Sequence, residues 1–102
     1  MNDNAKVIEN NLLFLLGELR DQPEVATHFP PEMQSCDEQL AQIEEYLVEA
    51  GEYGLGYELT VALLESFPFK LSSLASVKLL EVGLLMGFKT EAPEDAKFDR
   101  RS

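Results

Sequence analysis

No lysine or arginine occurs between Asp21 and Phe69, a stretch that contains eleven carboxylates. The flanks cancel: Lys6 and Arg20 stand against Asp3, Glu9 and Glu18, and from Lys70 onward six cations meet five carboxylates. The formal charge of −11 therefore belongs to the middle of the chain. A pI near 4.3 argues against DNA, RNA or an anionic membrane surface as the direct ligand. One cysteine, Cys36, excludes an intramolecular disulfide and suits a reducing cytoplasm. One histidine, His28, leaves no pair for a metal or a catalytic relay; beside Phe29 in a proline-rich stretch, it reads as a surface or boundary residue. Long apolar runs are absent. Leu12–Leu16 is far short of a membrane span, and it follows Asp3, Glu9 and asparagines rather than the basic region of a secretory signal.

What is present is helical periodicity. The chain reads as an all-α, single-domain bundle of about four helices over residues 1–88, with 89–102 as a loosely held tail that Phe98 pins back. The first helix runs from about Asn4 to Leu19, with Ile8, Leu12, Leu15, Leu16 and Leu19 on one stripe. Asp21-Gln22-Pro23-Glu24 opens a short turn with Asp21 as its cap, and Phe29-Pro30-Pro31 stops it. Ser35 and Glu38 form a capping box for a second helix that buries Leu40, Ile43, Leu47 and Ala50 and ends at a left-handed Gly51. A third helix starts within Glu52 to Leu55, turns Leu55, Leu59, Ala62 and Leu63 inward, and ends by Phe67 before Pro68. Ser72 or Ser73 caps a fourth, and Gly87 stops it. Its apolar residues fall on more than one side, which predicts a central helix with Lys78 and Glu81 as its wet positions. The last two helices should form a hairpin around Leu59, Leu63, Val77, Leu80 and Leu84.

The second helix carries Asp37, Glu38, Glu44, Glu45, Glu49 and, just past it, Glu52 off the apolar stripe. Like charges one turn apart, such as Glu45 and Glu49, each cost about 0.2–0.5 kcal/mol where a Glu–Lys pair would gain as much. A solvated face is the ordinary explanation, but such a face usually interleaves lysine. One-sided charge of this density suits a cationic partner. Tyr46 and Tyr53 lie among these acids, and tyrosine is enriched in binding hot spots. The expected contact surface is therefore Asp37, Glu38, Glu45, Tyr46, Glu49, Glu52 and Tyr53, with Tyr57 packed instead. No cofactor is expected, no metal-ligand spacing occurs, and no nucleophile–base pair points to catalysis. Phosphate binding at the Gly51, Gly54 and Gly56 cluster fails for want of a nearby cation.

Gly51-Glu52-Tyr53-Gly54-Leu55-Gly56-Tyr57-Glu58-Leu59 resembles the GEYGLA.E signature of small helical immunity proteins of the Maf type, which accompany polymorphic toxins and contact-dependent inhibition systems in bacteria. Phe67–Ser72 and Leu79–Phe88 fit the same pattern of two C-terminal helices joined by a short loop, so the similarity spans about Tyr46 to Phe88. Gly56 departs from it, standing where alanine is common. The resemblance implies a cytoplasmic protein, monomeric when free, that binds one cognate toxin domain, often a ribonuclease including the EndoU type. A basic RNA groove would suit a carboxylate-rich helix independently of the resemblance. The alternative class is a helical adaptor or secretion chaperone for a basic client. An apolar groove beside the acids would favour it.

Overall fold

The computed structural model describes residues 4–87, and these are all-α, with no strand among them. Helix α1 spans Asn4–Arg20, a 3-10 segment spans Pro23–His28, and α2, α3 and α4 span Cys36–Val48, Tyr53–Ser66 and Ser73–Leu85. The expected tail and Phe98 lie outside the described residues.

The first two helices follow their sequence pattern closely. On α1, Ile8, Leu12, Leu15, Leu16 and Leu19 are buried, and Asn11 joins them. On α2, Leu40, Ile43 and Leu47 are buried together with Cys36, while Ala50 is exposed beyond the last turn. The Ser35–Glu38 capping box is formed in both directions, and Gly51 takes the left-handed φ of 64°. The 3-10 segment is capped by Gln22 and not Asp21, with no side-chain cap bond. The Gln22 side chain is committed elsewhere. Its amide nitrogen donates to the carbonyls of Glu18 (3.1 Å) and Lys70 (2.7 Å), and its oxygen accepts from the Lys70 N–H (2.8 Å).

The later helices depart from expectation in which side faces in. On α3 the buried row is Gly56, Thr60 and Leu63. Leu55 and Ala62 are exposed and Leu59 is half-buried. Gly56 sets that register by letting α3 approach α2: a β-carbon there would lie 2.6 Å from a Leu47 methyl. On α4 the buried row is Ala75, Val82 and Gly83, so Leu74 and Val77, expected inside, point outward.

The central helix is α1 and not α4: α1 packs on α4, α2 and α3. It runs antiparallel to α4, because Glu18 meets Ser72 at one end while Asn11 meets Lys78 and Glu81 further along. Helices α3 and α4 run antiparallel across their loop, but they pack little on each other and lean on α1 instead. They meet where Gly54 faces Met86 and Gly83 faces the Tyr57 hydroxyl, and the expected Val77 is exposed. The loops at the far end close over an aromatic cluster, in which Phe29 stacks on Phe67 at 3.7 Å and meets Phe69 edge-on.

Candidate partner-binding surface

Helix α2 packs its apolar stripe on α1 and α3, which leaves Asp37, Glu38, Glu45 and Glu49 exposed on the opposite side. At 100° per residue, Glu38, Glu45 and Glu49 cluster at the centre of that outer face. Ala41 and Val48 form an apolar strip along one flank, with Glu44 between them. Ala41, Glu44, Glu45, Val48 and Glu49 together line a shallow open depression. Val48 is 50% exposed in it, an apolar feature among carboxylates that charge reasoning alone did not find.

Glu44 is the one α2 carboxylate with an ion pair among the described residues. Its Oε1 lies 2.6 Å from Nη2 of Arg20, at the end of α1. Both side chains are more than two-fifths exposed, so the pair contributes no more than about 1 kcal/mol. The pairing removes Arg20 from the pool of free cations and leaves the rest of the α2 surface uniformly negative.

The acids differ in how they stand with respect to the helix itself. Asp37 and Glu38 in the first turn oppose the positive end of the macrodipole, where they stabilise. Glu45 and Glu49 stand at the other end, where the dipole is negative and the last turn contains no basic residue to offset them, whereas Glu52 is the N-cap of α3 and faces that helix's positive end.

The two tyrosines differ. Tyr46 is half-buried, and its hydroxyl accepts a 3.3 Å bond from Gln42 one turn earlier, so it borders the acidic face from the other flank. Tyr53 has its ring against the core, and its hydroxyl donates to Glu9 Oε1 at 2.9 Å. That bond ties the exit turn of α2 to α1, and it holds the Tyr53 hydroxyl above the ordinary phenol value, with desolvation adding to it. Glu52 is exposed between them on the turn fixed by its own N–H, which donates to the Tyr46 carbonyl at 2.8 Å.

No family model matches this chain. Comparison with curated proteins and with solved structures found no match either.

Cys36 is buried at the first turn of α2. Loss of solvent, and secondarily the Asp37 charge, raise its thiol pKa, which makes it a packing residue rather than a nucleophile. Among the described residues no three of His, Cys, Asp and Glu converge as a metal site would need. No helix among them is long and apolar enough to cross a membrane. What this surface can do chemically is attract and orient a cationic macromolecule.

Proposed function

We propose that this protein is an immunity protein that binds a cognate bacterial toxin and neutralises it. The toxin is a basic nuclease of the ribonuclease class, the EndoU type among its candidates, whose active-site region receives the acidic face of α2. The observation that carries the reading is the set of acids at the C-terminal end of α2. Glu45 and Glu49 repel each other and oppose the helix dipole, with no lysine or arginine interleaved. Sequences that break a local rule without local compensation commonly do so at functional sites. The resemblance around Gly51–Leu59 supports the same class.

In this reading Asp37, Glu38, Glu45, Glu49 and Glu52 steer the toxin into contact and substitute for substrate phosphates. Val48 and Tyr46 supply contact area on the two flanks. Tyr53, through its bond to Glu9, keeps the exit turn in place before the partner arrives. Neutralisation is stoichiometric and needs no turnover or cofactor. The adaptor alternative asked for an apolar groove beside the acids. Apart from Val48 and Ala41, the most exposed apolar residues, Leu74 and Val77, belong to α4, which packs on α1 rather than α2.

The test is binding kinetics against the product of the adjacent toxin gene at two salt concentrations. The parent should associate faster at low salt, and Glu45→Lys with Glu49→Lys should slow association about tenfold or more while the circular dichroism spectrum stays helical. Unchanged affinity in that variant, with no salt dependence in the parent, would move the interface off α2.

A further inference from the structure

Helix α4 is attached to the body differently from the other three helices. Helices α1, α2 and α3 each pack on the other two, whereas α4 leans on α1 and touches α3 lightly, at Met86 beside Gly54 and Gly83 beside the Tyr57 hydroxyl. The residues α4 buries are small: Ala75, Val82 and Gly83. Its leucines contribute less, since Leu79 and Leu85 are half-buried and Leu74 is 56% exposed. Hydrophobic stabilisation scales with the apolar area removed from water, so this contact holds less than the leucine and isoleucine side chains that join α1 to α2.

Polar clasps from α1 and the residues just after it make up the rest. Glu18 accepts from the Ser72 N–H at 3.0 Å and from the Ser72 hydroxyl. Gln22 exchanges two bonds with the Lys70 backbone, and Asn11 donates to the Lys78 carbonyl and to Glu81. The Lys78 ammonium lies 5.1 Å from the centre of the Phe14 ring. The bonds from Glu18 and from Gln22 to the linker are exposed, so water replaces them at little cost.

We infer that α4 is a hinged strap, which lifts from α1 as one unit while α1, α2 and α3 stay folded. The pivot falls between Phe69 and Ser73. Phe67 and Phe69 are anchored against the Phe29 ring, which keeps the end of α3 and the first part of the linker on the body. Beyond them the chain is tied by the exposed bonds to Gln22 and Glu18, with Leu71 half-buried between. Elements with few buried apolar contacts and exposed hydrogen bonds are the ones that open below global unfolding. Opening parts the inner side of α4 from the side of α1 that carries Asn11, Phe14 and Glu18. The acidic face of α2 is untouched, because α2 packs on α1 and α3, so the device is independent of toxin binding.

The experiment is native-state hydrogen exchange on the full chain, read helix by helix by NMR in low concentrations of denaturant. The slowest α4 amides should be protected about tenfold or more weakly than the slowest amides of α1 and α2. Their opening should also depend less on denaturant, because it exposes less surface. Ile43→Val, which trims α2 at a buried site, should speed the slowest α2 amides about two- to tenfold. It should leave α4 unchanged, since α2 is still folded when the strap is open. Glu18→Ala should speed the slowest α4 amides together by about tenfold. An α4 as slow as α2 in the parent, or one that follows α2 in Ile43→Val, would show one cooperative unit and overturn the proposal. So would an α4 indifferent to Glu18→Ala.

Discussion

Helices α2 and α4 have the same length and opposite kinds of information. About half of α2 is carboxylate or amide, so only one stripe can enter the core, and the residues expected there within the helix, Leu40, Ile43 and Leu47, are found there together with Cys36. Helix α4 has apolar residues on every side, so its sequence permits several inward faces, and the one chosen centres on Ala75, Val82 and Gly83. Small residues won because they allow close approach. Gly83 leaves room for the Tyr57 hydroxyl, and Ala75 lies flat against the core. Polar residues on a helix therefore do more than face water: they determine the register by elimination. Where they are missing, the fit to neighbouring helices decides.

The sharpest way to break this contrast is to truncate one side chain on each helix. Leu47→Ala should cost about 2–5 kcal/mol in denaturant unfolding, because Leu47 is fully buried and also fills the space left by Gly56. Val77→Ala should cost less than about 0.5 kcal/mol. A large loss at Val77 would mean that the free chain buries this side after all.

The Leu47–Gly56 contact can be probed from the other helix. Gly56→Ala restores the residue common in the resembling signature and gains about 0.5–1 kcal/mol of helix propensity. The new methyl needs the space of a Leu47 methyl 2.6 Å away, an overpacking cost of about 1–3 kcal/mol. The net expectation is destabilisation by about 1 kcal/mol, checked by the unfolding midpoint. A more stable variant would show that Leu47 can rotate away freely.

Asn11 sharpens the comparison on the α4 side, because it fixes that helix by polar contact. Its amide donates to the Lys78 carbonyl at 3.2 Å and to Glu81 Oε1 at 2.7 Å. Asn11→Ala should cost about 1–3 kcal/mol, with the loss of protection in hydrogen exchange concentrated in α4 rather than α2.

Alkaline titration reads the first turn of α2 and the first turns of α3, two helices that pack on each other. Burial raises Cys36 and Tyr57, and the Glu9 bond raises Tyr53. For each, the folded state holds its proton to higher pH than the unfolded chain. Their contribution is complete below the unfolded values, about 8.5 for thiols and about 10 for phenols, and is lost as pH rises through the folded ones. Stability should fall above about pH 9, and Tyr53→Phe should flatten part of that fall.

The smallest effect is expected on the acidic face. Glu45→Lys with Glu49→Lys should leave the free protein as stable or up to about 1 kcal/mol more so, since it relieves like-charge repulsion and places cations at the negative end of α2. A marked loss of stability would mean that these acids have a structural partner.

By itself the sequence determined most of what local rules set, the Asp21 cap being the exception. Helix existence followed from periodicity, the start of α2 from the Ser35 capping box, the end of α2 from Gly51, and the one-sided charge from the missing cations. The candidate surface was legible for the same reason: charge is additive along a chain and needs no fold to be counted. Tertiary structure decided what depends on two segments at once. It made α1 the central helix, turned Leu74 and Val77 outward, bonded Tyr53 to Glu9, and clamped Ser72, the α4 cap, to Glu18. It also placed Gln22 between Glu18 and Lys70. None of these leaves a periodic signal, because the bonds from Tyr53 to Glu9, Ser72 to Glu18 and Gln22 to Lys70 join residues more than forty positions apart, and all rest on shape and donor–acceptor geometry that exist only once the helices have packed.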